Sequence, residues 1–176
     1  MESKLEYMFS NVNDWLKYAE VKNVGLIALN GALLVGLLQS ISTIKDFELM
    51  FQLYFSLVAF CSLVSSSIGL MSLFARLQAP WWLSWVMKHK KSTSDNPIFF
   101  IDASKYSGTQ FFESIKVKYP SLIINEGPYC LNLCDQICAN SKIATIKFHQ
   151  FNLSLTFLMG GILTPIGFVI YNYIKK

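Results

Sequence analysis

The chain has 176 residues, 53% of them hydrophobic and 15% charged, and its mean hydropathy is +0.39. An ordinary soluble domain carries about a quarter charged residues, so this composition excludes one and points to a membrane protein. The net charge of +4 comes without a basic block interleaved with aromatics, which argues against a nucleic-acid partner.

Charge is spread unevenly. Met1 to Lys22 mixes both signs, Asn23 to Ala75 has almost none, and Arg76 to Gln150 holds most of the lysines. That pattern predicts an all-α integral membrane protein in four parts: an N-terminal helix (1–22), a two-span hairpin (23–75), a mostly helical cytosolic module (76–150) and a third membrane segment (151–176). Glu2, Glu6, Asp14 and Glu20 interrupt the first twenty residues, so no cleavable signal peptide is expected.

From Leu5 the apolar positions Met8, Phe9, Val12, Trp15, Leu16 and Ala19 follow helical spacing, as in an amphipathic helix that packs on the module or lies in the headgroups. Val24 to Thr43 and Leu49 to Phe74 each supply the ~20 apolar residues of a span. The third span is expected over about 152–174, kinked at Pro165. Three spans place the termini on opposite sides. Lys45 is the only cation of the first link, whereas the N-terminal arm and the 76–150 module are lysine-rich, so both belong in the cytosol; Lys175 and Lys176 then fall outside, against the same rule, which leaves a re-entrant or incompletely crossing third segment as the alternative.

After the second span, Trp81, Trp82 and Trp85 precede Lys88, Lys90 and Lys91, the composition of a segment at the membrane interface, with tryptophans in a folded core as the alternative. Next, "STSDNP" is a polar breaker and "IFFI" a short apolar run suited to a strand or a plug. "TQFFESIKVKY" predicts a helix capped at Thr109 and ended by Pro120.

Cys130, Cys134, Ile137, Ser141, Ala144, Phe148 and Phe151 then alternate in steps of four and three. This heptad-like seam predicts one long helix running from the module into the third span. Spacings of four and four among Cys130, Cys134 and Cys138 differ from zinc knuckles and predict buried, reduced packing cysteines; no metal is expected.

Each span carries small or polar residues on one side. In the first, Gly25, Ala28, Ala32, Gly36 and Gln39 gather together, while Asn30 points elsewhere, toward the side of Asn23 and Leu34. The second shows Gln52, Ser56, Ala59, Ser66 and Ser67, and the third Thr156, Gly160, Thr164, Gly167 and Tyr171. Small residues let helices approach closely in lipid. The stripes predict a homo-oligomer, built around a water path and with a ring of Asn30 amides supplying its own hydrogen bonds. No ionisable group lies mid-span, which argues against an ion-coupled carrier.

Three stretches carry a family resemblance. "EVKNVGLIALNGALLVGLL", "NPIFFIDASKYSGTQFFESI" and "LCDQICANSKIATIKFHQFNLSLTFLMGGIL" resemble, in order and pattern, the opening, central and closing parts of the Pycsar-type transmembrane effectors. The resemblance implies an antiphage role in the bacterial inner membrane. A neighbouring cyclase makes a cyclic nucleotide, the effector senses it, and the membrane is damaged before phage matures. It leaves open whether the nucleotide triggers or restrains the effector. The matching positions are Lys22, Asn30 and Gly31 in the first span, and Gln136, Ser141, Lys142 and Lys147 in the closing helix. No stretch of the chain resembles a fused cyclic-nucleotide-binding barrel.

The leading expectation is therefore a non-enzymatic, oligomeric membrane effector under cyclic-nucleotide control, with the lipid bilayer and copies of itself as partners. Gln136, Asn140, Ser141, Lys142 and Lys147 are its expected ligand surface. Gly25, Asn30, Gly31, Ala32, Gly36, Gln52, Ser56, Ser66, Gly160 and Thr164 are its assembly or pore positions. The alternative is a membrane adaptor or scaffold without pore activity. Enzyme chemistry finds no support, because His89 and His149 stand alone and "GGILTPIG" is too apolar for a phosphate loop.

Overall fold

The computed structural model describes residues 2–45, 49–74, 77–87, 90–120 and 127–174, with backbone alone for 2, 86–87 and 165–174. The expectations for Arg76, Lys88, His89, Lys175 and Lys176 lie outside the described residues, as do those for the side chains of Pro165, Gly167 and Tyr171.

The elements are helical throughout, with no strand among the described residues: α1 (Glu2–Gln39), α2 (Ile41–Lys45), α3 (Leu49–Ser72), a 3-10 helix (Trp81–Met87), α4 (Phe100–Ala103), α5 (Gly108–Lys118) and α6 (Pro128–Ile174). They form two compact units. One comprises Met1–Val21 with Ala75–His149, the other Lys22–Phe74 with Gln150–Lys176.

Several local details depart from the sequence expectations. The N-terminal amphipathic helix and the first apolar segment are a single helix, α1. No glycine or proline separates Glu2 from Val24, so nothing stops the hydrogen-bond ladder. A turn at Ser40 ends α1, and α2 follows at once, Ile44 N–H bonding to Ser40 carbonyl at 2.9 Å. "IFFI" forms neither strand nor plug, because Phe100 and Ile101 open the short helix α4.

The N-cap of α5 is Ser107 rather than Thr109. Ser107 has extended dihedrals, and its backbone N–H donates to Gln110 Oε1 at 3.3 Å, as in a capping box. Proline at the first turn of α6 loses only an N–H that has no helical acceptor there.

In the first unit, Leu5, Met8 and Val12 of α1 join Phe100, Ala103, Phe111, Phe112, Ile115 and the α6 residues Cys130, Cys134, Ile137, Cys138 and Ala144 in one apolar core. The seam thus faces inward, and its cysteines Cys130 and Cys134, with Cys138 beside them, are buried thiols outside any disulfide. Trp15 lies against Phe100, ring centroids 5.4 Å apart, and Phe100 stacks on Phe148 at 5.2 Å. Gly108 lets α5 meet α6: a Cβ there would fall 2.7 Å from the backbone nitrogen of Asp135 and closer still to its carboxylate. Leu83 of the 3-10 helix packs on Ile146, leaving Trp81 and Trp85 exposed and Trp82 half-buried.

The second unit is built in the opposite sense. Helix α3 buries Val58, Ser62, Ser65, Gly69 and Ser72, while Phe51, Leu53, Phe60 and Leu63 are 56%, 57%, 63% and 55% exposed. Small and polar residues inside with large apolar ones outside would be costly in water and is suited to lipid. Two helices, Ser3–Gln39 and Leu49–Ser72, are long and apolar enough to cross a bilayer.

Candidate functional site

Three helices of the second unit converge on a buried polar chain. Asn30 Nδ2 donates to Leu26 carbonyl at 3.0 Å and to Ser65 Oγ at 2.8 Å. Ser65 and Ser154 hydroxyls lie 2.8 Å apart, and Ser154 Oγ donates to Ser65 carbonyl at 2.7 Å. One chain therefore supplies the partner for the amide, where a ring of Asn30 side chains from several copies had been expected. A serine's hydroxyl both donates and accepts, so Ser65 can serve two helices at once.

Among the described glycines of this unit, the two that sit against another helix lie outside the expected stripes. A Cβ on Gly161 would meet Cys61 Cβ at 2.8 Å, and one on Gly69 would meet Ile27 Cγ1 at 2.9 Å. The stripe positions Gly25, Gly31, Gly36 and Gly160 have nothing within 4 Å of such a Cβ. Ala32, Ser56 and Thr164 are likewise exposed, and Gln52 and Ser66 half-buried. Ser56 and Thr164 hydroxyls return to their own helix at Gln52 and Gly160 carbonyls, 2.8 and 2.6 Å.

The expected ligand residues of α6 do not gather at one opening. Ser141 is fully buried, its hydroxyl without a partner among the described residues. Lys147 is 2% exposed and pairs with Glu20 at 3.2 Å. Asn140 Nδ2 donates to Asn13 Oδ1 at 2.7 Å, Lys142 is half-buried, and Gln136 faces outward. Much of the polar side of α6 thus holds the N-terminal part of α1.

The first unit contains a cleft of about 440 Å³ that sequence reading missed. Residues of the loop 92–97 and of helix α5 line it with Asp102 and Tyr106, and Lys105 bridges two of its carboxylates, Asp95 Oδ1 at 2.7 Å and Asp102 Oδ1 at 2.6 Å. Both carboxylates are otherwise occupied. Asp95 Oδ2 accepts from Ser92 N–H at 3.0 Å and Tyr106 O–H at 2.9 Å, and Asp102 Oδ2 accepts from Asn96 N–H at 2.9 Å. Burial opposes charge on Asp95, but the hydrogen bonds from Lys105, Ser92 and Tyr106 outweigh it and hold its pKa below the ordinary value. Burial also opposes charge on Lys105, yet Asp102 and Asp95 raise its pKa. Burial and the bond to Asp95 together raise that of Tyr106.

Lys118 Nζ caps the loop through the carbonyls of Thr93 (3.4 Å) and Asp95. Lys91 Nζ donates to Gln110 Oε1 and lies 5.4 Å from the Tyr106 ring centroid. Only "STSDNP" hinted at the loop. Nothing in the spacing showed that Asp95, Asp102 and Lys105 meet.

Fold and burial define the class: an all-helical membrane protein with a compact unit from the N-terminal arm and the central region. Residues 4–173 match the model of the PycTM family, the Pycsar effector protein domain, and the chain belongs to that family. It is an effector of antiphage defence. No curated protein and no solved structure matches it.

Proposed function

We propose that the chain oligomerises in the bacterial inner membrane and impairs its integrity under control of a cyclic nucleotide made by a neighbouring cyclase. The observation that carries this reading is the inverted packing of the second unit, in a chain matching a Pycsar effector domain over 4–173. Asn30, Ser65 and Ser154 bond one another within one chain, and the small-residue faces outside that network take no part in it.

Gly25, Ala32 and Gly36 on α1 and Gly160 and Thr164 on α6 are exposed and suit close contact with further copies. The C-terminal part of α6 then crosses the bilayer as the third span, and the first unit lies in the cytosol. A nucleotide that binds one packing of the unit more tightly shifts the assembly by that difference in affinity, about 1.4 kcal/mol for each tenfold.

The test is induced expression in bacterial cells with a membrane-potential dye, with and without the cognate cyclase. Depolarisation that depends on the cyclase supports the reading. Stable expression in the membrane with unchanged potential under both conditions would favour the adaptor function instead.

A further inference from the structure

We propose that the 3-10 helix Trp81–Met87 seats the first unit on the phospholipid headgroup layer, with the indoles of Trp81 and Trp85 as its anchors. The inference rests on the reading that α6 enters the bilayer beyond Lys147, and it names the surface by which the first unit meets the lipid.

The 3-10 helix is fastened by one residue and presents others outward. Leu83, 1% exposed, packs on the buried Ile146 of α6, with Ala79 and Trp82 against the pair. By contrast Trp81 is 87% and Trp85 60% exposed, and the Trp85 ring lies edge-on to that of His149 at 5.9 Å. The trio expected from the sequence is thus a pair of outward indoles, held by a backbone that Leu83 fixes. A patch of this kind marks a surface that meets a partner.

The depth of the patch follows from the helices themselves. Helix α1 carries no charged residue from Asn23 to its end, and α6 none from Phe148 to its end. The Glu20–Lys147 pair, at 3.2 Å, sets the last charges of the two helices at one level. His149, against which Trp85 lies, stands three residues before Asn152, where the third apolar segment opens; along a helix that is roughly 4.5 Å. The polar layer on each side of a bilayer core is roughly 5–8 Å deep, so Trp85 falls within it.

The chemistry selects lipid over another copy of the chain. An indole is an apolar plate with a single N–H donor, which suits the boundary between acyl chains and phosphates. Lys90 and Lys91, both exposed, follow the helix, and ammonium groups are drawn to an anionic leaflet. A second copy docking through the same patch would set these lysines against their own counterparts, like charge facing like.

The test is tryptophan quenching with the full-length protein in nanodiscs. Wild type is compared with Trp81→Phe/Trp85→Phe, so the difference in emission belongs to the two indoles. Both positions are exposed, and the variant should melt with wild type. Trp81→Phe alone is the second variant, because Trp85 also touches His149. The quenchers are phospholipid brominated beside the glycerol, phospholipid brominated near the chain ends, and aqueous iodide.

Most of the two-indole emission should be lost to the shallow bromine and little of it to the deep bromine or to iodide. Tyr7→Trp, added to the double variant, is the control. Tyr7 is 69% exposed and lies fifteen residues before Lys22 on α1, roughly 22 Å along the helix, so its emission should respond to iodide alone. Iodide quenching of the two indoles without any effect of bromine would overturn the anchor and leave the bilayer reading standing. Protection from all three quenchers would also overturn it, in favour of a second copy covering the patch. Release of the protein from membranes by alkaline carbonate would overturn both.

Discussion

The side-chain amide of Asn30 donates to the hydroxyl of Ser65, thirty-five positions further on, at 2.8 Å. That contact joins α1 to α3, and Ser154 extends it to α6. The Nδ2 group of this mid-span amide thus finds both acceptors within one chain, while its buried Oδ1 has no partner among the described residues.

Asn30→Leu removes both donor bonds and leaves Ser65 to Ser154 alone. Interhelical hydrogen bonds in lipid are worth about 0.6 kcal/mol each, up to ~1.7, so the variant should lose about 1 kcal/mol in unfolding measured in bicelles. Its oligomeric state should not change. Dissociation of the assembly without loss of stability would show that Asn30 acts between copies.

Gly161 and its neighbour Gly160 separate two roles one residue apart. Gly161→Ala drives a methyl to 2.8 Å from Cys61 Cβ and 3.5 Å from Val58 Cα. Overpacking of this kind costs about 1–3 kcal/mol, and Cys61→Gly should recover part of it. Gly160→Ala meets nothing within 4 Å, so the fold should keep its stability while crosslinking reports a weakened oligomer.

The Asp95, Lys105 and Tyr106 cluster sets a pH window for the first unit. The folded pKa of Asp95 lies below 3.8, so its contribution is complete above that value and is lost as pH falls through the folded pKa. Tyr106 and Lys105 are raised above 10.0 and 10.5, so their contributions are complete below those values and are lost as pH rises through the folded ones. Thermal melting should therefore be flat from mildly acidic to mildly alkaline pH and fall at both ends. Lys105→Met leaves the buried Asp95 and the half-buried Asp102 without their shared cation, costs about 1–3 kcal/mol, and should move the acid limb to higher pH.

Burial pushes the thiols of Cys134 and Cys138 up to about 12, with the nearby Cys130 charge adding at Cys134 and Lys142 opposing at Cys138. Their thiolate population at pH 8 is about a thousandfold below that of an ordinary thiol. Maleimide should leave both unlabelled in the folded protein and react fully after denaturation. Rapid labelling of either in the native state would contradict the packing of the α6 seam.

The helices and the cysteine seam were legible in the sequence because periodicity reports burial directly. Leu5, Met8 and Val12 have the spacing of one face, and Cys130, Cys134 and Ile137 that of another. The partner of Asn30 was not legible. A helical wheel shows which way an amide points and cannot show that Ser65 arrives there from another helix. The cap of α5 was misplaced by two residues, because both Ser107 and Thr109 are capping types and only Ser107 has Gln110 three positions on. The cleft was hidden for the same reason as the Asn30 contact: Asp95 and Lys105 are ten residues apart across a loop and a short helix.

The central claim, that this chain alters membrane integrity in answer to a nucleotide, is tested most directly by dye and ion release from liposomes containing the purified protein. The vesicles would be titrated with cyclic mono- and oligonucleotides. The account predicts release that one cyclic nucleotide changes, in either direction. Vesicles that stay sealed under every condition, with the protein shown to be inserted and oligomeric, would contradict it.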